Sequence, residues 1–420
     1  MGRMTPTSAR SSLPRRTLLK AGLAWTAGAV GAPLPIRARA EVPVKIGMVE
    51  PLTGAYAALA EAELVGARLG IEEINRGGGI LGRPVELLVA DSGNDITAGV
   101  EKTYELIDHD RVDFVTGNVN SAIALAMTKV TAERHKLHIV TGAHIDEITG
   151  SLCSWNVFRI CKSIAMEVNA VAGTLIEKFG KRWYFLTPDY IYGRSLQAAF
   201  ERKLTQHDGT SAASALPVGT VDFSRALSDV ATYRPQVLVN LMGGADQAKS
   251  LRQIVEFGLA KDMAVGGALF ELESILAVPD EARIGWWTME WWWNQPNVAP
   301  IRAFDAAIRS RTGKAASARH WFGYAAVHTV AQVANQEKSL DAVALARALQ
   351  GYALPADTAL DADRAFFRER DHELMSTVLI GEVHPARGDP FDVFTIRKAV
   401  GGEDAAGPPQ ASECRLAFPS

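Results

Sequence analysis

The chain has 420 residues and a formal net charge of −3, and 48% of its residues are hydrophobic. Residues 1–40 contain seven Lys or Arg and no acidic residue, so the remainder carries a formal charge of −10. This acidic balance disfavours nucleic acid as a partner, because phosphate binding needs clustered positive charge. The roughly 380 residues of the remainder exceed what one compact core usually accommodates, so we expect two lobes or domains.

Residues 1–40 have the pattern of an export signal. Arg15 and Arg16 precede the apolar run 21–30, and residues 38–40 offer small side chains at a cleavage site. The paired arginines resemble a twin-arginine signal. The apolar run is much shorter than the ~20 residues that a membrane-spanning helix needs. We therefore expect cleavage near Glu41 and export of the mature chain to the periplasm.

Three cysteines, Cys153, Cys161 and Cys414, are too few and too scattered for a disulfide framework. Their spacing matches no zinc motif. An exported protein can oxidise one pair, for which Cys153 with Cys414 is our hypothesis. Cys161 is then a buried, inert thiol.

Short β-branched runs alternate with helical patterns from Val44 onward. In the first half the pattern predicts strands at 44–49, 85–90, 112–116 and 138–141, with helices around 64–74 and 98–107 and from 121. In the second half it predicts helices at 168–179 and from 195, and strands at 183–187, 215–218, 237–241 and 264–266. Such alternation is typical of parallel sheets covered by helices on both faces and joined by right-handed crossovers.

The alternation breaks after Gly285, where a Trp-rich strand, a long helix pair over 301–349 and an irregular tail follow. We predict an α/β protein of two Rossmann-like lobes whose parallel sheets are joined by crossover hinge strands. The predicted first lobe is 41–160 plus about 288–370, and the second is 161–287 plus about 371–400, followed by a tail at 401–420. Ligands of open parallel sheets bind beyond the carboxyl ends of the strands, which predicts a site in the cleft between the lobes.

The sequence contains little evidence of a catalytic or cofactor-binding motif. Residues 77–82 fit G-x-G-x-x-G, but a helix precedes them and a strand follows, the reverse of the dinucleotide-binding order. The glycines instead indicate the end of a helix and a turn. Asp361 and Asp363 are expected in a solvated loop rather than at a cation. We therefore expect no cofactor, no metal and no catalytic residues.

Five segments carry a resemblance to a known family, and they lie at 46–47, 51–54, 66–67, 74–84 and 189–193. Through them the chain resembles the periplasmic leucine/isoleucine/valine-binding proteins of ABC importers over nearly its whole mature length. The resemblance implies a type I periplasmic binding protein fold and a small-molecule ligand. It also implies a monomer whose partners are ABC permease and ATPase subunits at the inner membrane. The alternative function is an amide- or acid-sensing module of the same fold. An exported hydrolase or oxidoreductase is a weaker hypothesis.

The turn at 117–121 lies between a predicted strand and a predicted helix. Ser121 can cap that helix while neighbouring amides, including that of Asn120, point into the cleft and form a seat for a carboxylate. Ser121 also resembles the carboxylate-binding serine of the family, although a cap without a ligand is the alternative. Ala143 and His144 follow the fourth strand and resemble the family's second backbone contact.

Three further segments complete the predicted site. Tyr192 resembles the aromatic residue that folds over the ligand, and Tyr56 or Leu59 in the first cleft loop would touch it. Ala268 lies in the stretch where amino acid binders of the family place a carboxylate for the ligand's ammonium. An ammonium buried without a counter-charge loses several kcal/mol, so the ligand remains open between an amino acid, an organic or aromatic acid and an amide.

Two acidic residues and a tryptophan group leave further alternatives. Glu271 or Glu273 could supply the missing charge only if the alignment shifts by a few residues. Five tryptophans between 286 and 293 could line an aromatic cleft. Such a cluster more often packs a crossover strand against helices, and we expect that for most of them.

Overall fold

The computed structural model describes residues 42–419, so the predicted export signal and its cleavage site lie outside the described part. Its first portion alternates strands and helices as expected. These elements are β1 Val44–Glu50, α1 Ala57–Arg76, β2 Val85–Asp91, α2 Ile96–Tyr104, β3 Phe114–Thr116, α3 Ser121–Glu133, β4 Leu137–Val140 and β5 Val157–Arg159. The strands form one parallel sheet in the order β2-β1-β3-β4-β5. The fifth strand, with three residues, was not expected.

The second portion builds another sheet. Its elements are α4 Ile164–Phe179, β6 Arg182–Pro188, α5 Ile191–Thr205, β7 Thr210–Leu216, α6 Ser224–Tyr233, β8 Val237–Asn240, α7 Gly244–Glu256, β9 Ala264–Gly267, α8 Leu272–Leu276 and β10 Trp286–Met289. Two predictions need correction here. The strand predicted at 215–218 covers 210–216, and the helix predicted from Ser195 begins at Ile191.

The third portion returns to the first sheet and then completes the second. Its elements are α9 Ile301–Thr312, α10 Ala318–Glu337, α11 Ala342–Leu349, α12 Ala356–Ala359, β11 Phe366–Phe367, β12 Leu374–Met375, β13 Val378–Val383, β14 Phe394–Val400 and α13 Gly402–Ala406. The predicted helix pair is three helices, because Gly313 and Lys338 end α9 and α10 in left-handed conformations. The predicted irregular tail instead contributes β13 and β14, which are antiparallel.

The seven strands of the second sheet lie in the order β14-β13-β10-β9-β8-β6-β7. We call the five-stranded sheet with α1–α3 and α9–α12 the first lobe, and the seven-stranded sheet with α4–α8 and α13 the second lobe. The fold is therefore the expected α/β architecture of two lobes with parallel-rich sheets. The chain passes between the sheets at residues 160–163, 290–300 and 376–377. The lobe boundaries drawn from the sequence stay a prediction.

Helix α10 packs along α1, and glycines set how closely the two helices approach. A Cβ on Gly66 would collide with the carbonyl oxygen of His320, and a Cβ on Gly323 would collide with that of Glu63. Backbone contact at these points brings the first two turns of α10 against the middle of α1. This packing places Glu63 of α1 beside Arg319 of α10.

Two other expectations can be checked in the structure. A disulfide joins Cys153 to Cys414, as hypothesised, and Cys161 is buried. Three tryptophans of the 286–293 group, Trp287, Trp291 and Trp292, are at most 2% exposed within the hydrophobic cores. The group therefore mainly packs the crossover region.

Candidate functional site

A small cavity lies between the lobes beyond the carboxyl ends of several strands. Its walls come from Tyr56, Leu59, Val119, Ser121, His144, Tyr190, Tyr192, Gly243, Leu269, Glu271 and Arg319. The space open to the centre of a water molecule is about 30 Å³, enough for about two waters at 10–15 Å³ each. This space is smaller than an amino acid, so a bound solute requires the two walls to lie further apart.

Direct contacts hold the two lobes together around this cavity. The hydroxyl of Tyr56 donates to that of Tyr190 at 2.9 Å, and the amide of Ala245 donates to the carbonyl of Ala55 at 3.0 Å. These bonds join the loop and helix after β1 to the loops after β6 and β8. The two lobes are therefore in direct contact across the cleft.

The first-lobe wall is the amino-terminal end of α3. Asn120, rather than Ser121, is the N-cap, and its Oδ1 accepts hydrogen bonds from the amides of Ala122 and Ile123 at 2.9 and 3.3 Å. The Oγ of Ser121 accepts from the amide of His144 at 3.2 Å. Within residues 42–419, the Ser121 amide and hydroxyl have no acceptor, so both donors remain available beside the positive end of the helix dipole.

His144 is a neutral acceptor in this wall. Burial, and then the charge of Arg319, hold the pKa of His144 well below its usual range. Its Nδ1 lies 2.9 Å from the carbonyl of Lys162 and donates to it, which leaves Nε2 to accept from Arg319 at 3.2 Å. The imidazole therefore adds no charge to the cavity.

The second-lobe wall carries Glu271, one of the two acidic residues that the sequence offered as a possible counter-charge. Ala268 is 1% exposed in the core and does not line the cavity, whereas Glu271 lines it and is 8% exposed. Leu269 turns the chain between them through a left-handed conformation, with φ 58°. Of the two acidic candidates, Glu271 is therefore the one that lines the cavity. Glu273 faces away and accepts from the Ser317 hydroxyl at 2.5 Å.

Arg319 connects the two walls. Its Nη1 donates to Glu63 at 2.7 Å and to the carbonyl of Gly142 at 3.3 Å, and its Nε and Nη2 contact Oε1 of Glu271. Burial raises the pKa of Glu271, and the neighbouring guanidinium opposes this rise. The Oε2 atom of Glu271 accepts no hydrogen bond within the described residues.

Buried carboxyl groups also lie behind and below the cavity. Burial, and then the proximity of Glu63, raise the pKa of Glu50 well above its usual range. Between the lobes, burial and then Glu290 raise the pKa of Glu167 to about 8. Burial raises the pKa of Glu290 to about 7 against the attraction of Lys162. These shifts favour the protonated form of the Glu167 and Glu290 carboxyls near neutral pH.

The cavity brings together five predicted site residues, which are Tyr56, Leu59, Ser121, His144 and Tyr192. Asn120 serves as the helix cap, and the buried Ala143 lies in the core behind His144. Sequence reasoning missed Tyr190, although it stands inside the motif 189–193 that was singled out. It also missed Arg319, which only the packing of α10 against α1 brings to the cleft.

Two searches of the described part of the chain bear on other kinds of function. No group of three or more His, Cys, Asp or Glu side chains is placed to hold a metal ion within residues 42–419. No helix in that range is long and apolar enough to cross a membrane.

The chain belongs to the periplasmic binding protein family, whose model matches residues 43–389. It is 29% identical over 201 residues to the Leu/Ile/Val-binding protein BraC3 of Rhizobium johnstonii. That alignment covers 47% of this chain and 54% of the relative, so the match spans about half the relative's length.

Solved structures share the fold over nearly the whole chain. An amino acid ABC transporter substrate-binding protein from Pseudomonas fluorescens Pf-5 has a TM-score of 0.81 and 23% identity, covering 90% of this chain and 100% of that one. A solute-binding protein of an R. palustris ABC transporter, in complex with benzoate, has a TM-score of 0.79 and 20% identity, covering 89% and 100%. Both likenesses concern the fold.

Proposed function

We propose that the protein is the periplasmic solute-binding component of an ABC importer of the branched-chain amino acid type. A small carboxylate-bearing solute binds in the cleft as the lobes close about the hinge, and permease and ATPase subunits at the inner membrane receive it. Family membership and the closed cleft support this function. The relative from R. johnstonii supports an amino acid as the solute.

The observation that carries the proposal is the complementarity of the two cleft walls. Ser121 offers two free donors at a helix amino terminus, which suits a carboxylate. Glu271 offers a free carboxylate oxygen, which suits an ammonium. Between them, Leu59 and Tyr192 provide apolar surface for a short side chain. A compact aliphatic α-amino acid fits these requirements.

A second candidate ligand is an organic acid without an amine. Arg319 already neutralises part of the charge of Glu271, so the negative charge of this wall does not require an ammonium on the ligand. The benzoate complex of the R. palustris protein supports this class for the shared fold.

A thermal-shift screen of the mature protein tests the proposal. The probes are L-alanine, L-valine and L-leucine, each paired with the acid that lacks its amine (propanoate, 3-methylbutanoate and 4-methylpentanoate), together with benzoate. A ligand at 100 times its Kd stabilises the folded state by about 2.7 kcal/mol. We expect stabilisation by at least one amino acid, and a screen in which no probe raises Tm would contradict the proposal.

We also propose monomeric action in the periplasm after export through the twin-arginine route. Arg15 and Arg16 support this route. Replacing both with Lys is expected to stop periplasmic accumulation, and unchanged accumulation would exclude the route. Size-exclusion chromatography with light scattering tests the monomer.

A further inference from the structure

Arg319 uses all its hydrogen-bonding capacity inside the protein. The side chain is 3% exposed and lies in the first turn of α10. A guanidinium has five N–H donors in a fixed plane. Glu63, the Gly142 carbonyl, the His144 ring and Glu271 together engage all five. Arg319 therefore cannot turn to a ligand carboxylate without breaking a bond.

These partners are divided unequally between the lobes. Glu63, Gly142 and His144 belong to the first lobe, and they fix the guanidinium there with three donors. The remaining donors, from Nε and Nη2, cross the cleft to Glu271 in the second lobe. The contact with Glu271 can therefore form only when the lobes come together.

Both crossing donors reach the same oxygen of Glu271. Because Oε1 is held by Arg319, the carboxylate plane is fixed and Oε2 keeps its acceptor capacity free. Glu271 lines the same cavity as Ser121, whose free donors lie in the other lobe. A carboxylate without this anchor could rotate or turn both oxygens to water.

We propose that Arg319 is a positioning residue that determines specificity. On closure it ties Glu271 to the first lobe through one oxygen and directs the other oxygen to the ligand's ammonium. This inference rests on the proposed function, because it requires an amino acid in the cleft. Preference for an amino acid over its deaminated counterpart is thus set by an arginine that never contacts the ligand's carboxylate.

The test is a double-mutant cycle measured by isothermal titration calorimetry. Wild type, R319Q, E271Q and R319Q/E271Q are titrated with L-valine and with 3-methylbutanoate, or with the better-bound pair from the screen. The readout is the ratio of the two Kd values, which a general loss of stability does not move. We expect R319Q to reduce the preference for the amino acid at least about tenfold. In the E271Q background, R319Q is expected to cause no further reduction.

Two further variants keep the test decisive if R319Q does not fold. R319K retains the charge, but its three donors lie on a single nitrogen and cannot reproduce the planar fork, so we expect an intermediate preference. E63Q loosens the first-lobe anchor while leaving Arg319 and Glu271 in place, and we expect a smaller decrease in the same ratio.

The outcomes separate this inference from the proposed function. If wild type binds neither compound of any pair, the proposed function fails. If wild type binds the amino acid but the Arg319 variants weaken both ligands equally, Arg319 is only structural and the inference is overturned. Full preference in R319K or R319Q would also overturn it.

Discussion

The two walls of the cleft differ in the groups they offer to a ligand and in how those groups are held. The first-lobe wall contributes Ser121 at a helix amino terminus, with donors that the local backbone has already oriented. The second-lobe wall contributes Glu271, a charged acceptor on a loop, which depends on Arg319 from the other lobe. We therefore expect the first wall to be formed before closure and the second to be completed by it.

This difference assigns separate tasks to the walls. Donors at a helix terminus bind any carboxylate, so the first wall is expected to supply affinity with little selectivity. A buried carboxylate oxygen discriminates strongly, because a ligand without a matching donor leaves it unpaired. The second wall is therefore expected to distinguish an amino acid from other acids.

The largest effect is expected from Glu271→Gln. The substitution keeps the side chain's volume but removes the charge that pairs with the ammonium, and losing such a pair costs about 2–5 kcal/mol. We expect the affinity for the amino acid to fall about 100-fold, and that for the deaminated acid to change less than about threefold. Calorimetric titration with both ligands measures this.

Glu273→Gln is the matched control for that variant. Glu273 lies two residues further along, contacts Ser317 and does not line the cavity. The Glu273→Gln substitution should leave the ratio of the two affinities unchanged. An equal loss of affinity for both ligands in Glu271→Gln would show that the second wall does not recognise the ligand's amine.

Ser121→Ala should have a smaller and less selective effect. Loss of the hydroxyl removes a hydrogen bond to a charged group, which is worth about 1.5–3 kcal/mol. We expect affinity for the amino acid and for the deaminated acid to fall by a similar factor, about tenfold or more. Ser228→Ala, on the exposed face of α6, is the control. Unchanged affinities would remove Ser121 from the site.

The carboxyl groups below the two walls predict how stability depends on pH. The pKa of Glu167, about 8, lies above its value of about 4.5 in the unfolded chain, so the folded state binds this proton more tightly. The contribution of this carboxyl to stability is therefore most favourable below about pH 4.5 and is lost as pH rises from about 5 to 8. We expect Glu167→Gln to flatten this fall by about 1 kcal/mol or more.

Urea unfolding between pH 5 and 8.5 measures the effect of Glu167→Gln. Glu256→Gln, an exposed position at the end of α7, provides the control and should leave the pH profile as in wild type. A Glu167→Gln profile that coincides with wild type would show that this carboxyl is not protonated in the folded protein.

The smallest effect is expected from Tyr192→Phe. The Tyr192 ring lines the cavity, and its hydroxyl has no hydrogen-bond partner within residues 42–419. A neutral hydrogen bond to the ligand is worth about 0.5–1.5 kcal/mol, so we expect affinity to fall about threefold. Tyr184→Phe, whose hydroxyl contacts Ser214 away from the cleft, is the control. An equal effect of both variants would exclude a ligand contact.

Sequence patterning predicted most of the parallel framework because its strands are buried hydrophobic runs. The strand β1 was placed to within one residue. The strand β7 was misplaced because it lies at the sheet edge, is partly exposed and consists largely of Thr, Ser and Ala. The strand β13 was overlooked because the alternation of strand and helix had already ended before it.

The two walls of the site also differ in how well the local sequence predicts them. The segment around Ser121 was predictable because it is a turn between a strand and a helix, although the helix cap is Asn120 rather than Ser121. Arg319 and Glu271 are 48 residues apart in the chain and lie in different lobes. Their contact depends on the left-handed turn at Leu269 and on the close packing of α10 against α1. No local sequence pattern predicts such a contact.

A crystal structure of the mature protein with the most strongly stabilising amino acid tests the central claim most directly. We expect the ligand's carboxylate within 3.2 Å of the Ser121 amide and hydroxyl, a hydrogen-bonding distance. The ammonium should lie equally close to Oε2 of Glu271, with Arg319 still on Oε1. A ligand carboxylate bound directly to Arg319, or a ligand outside the interlobe cavity, would contradict the claim.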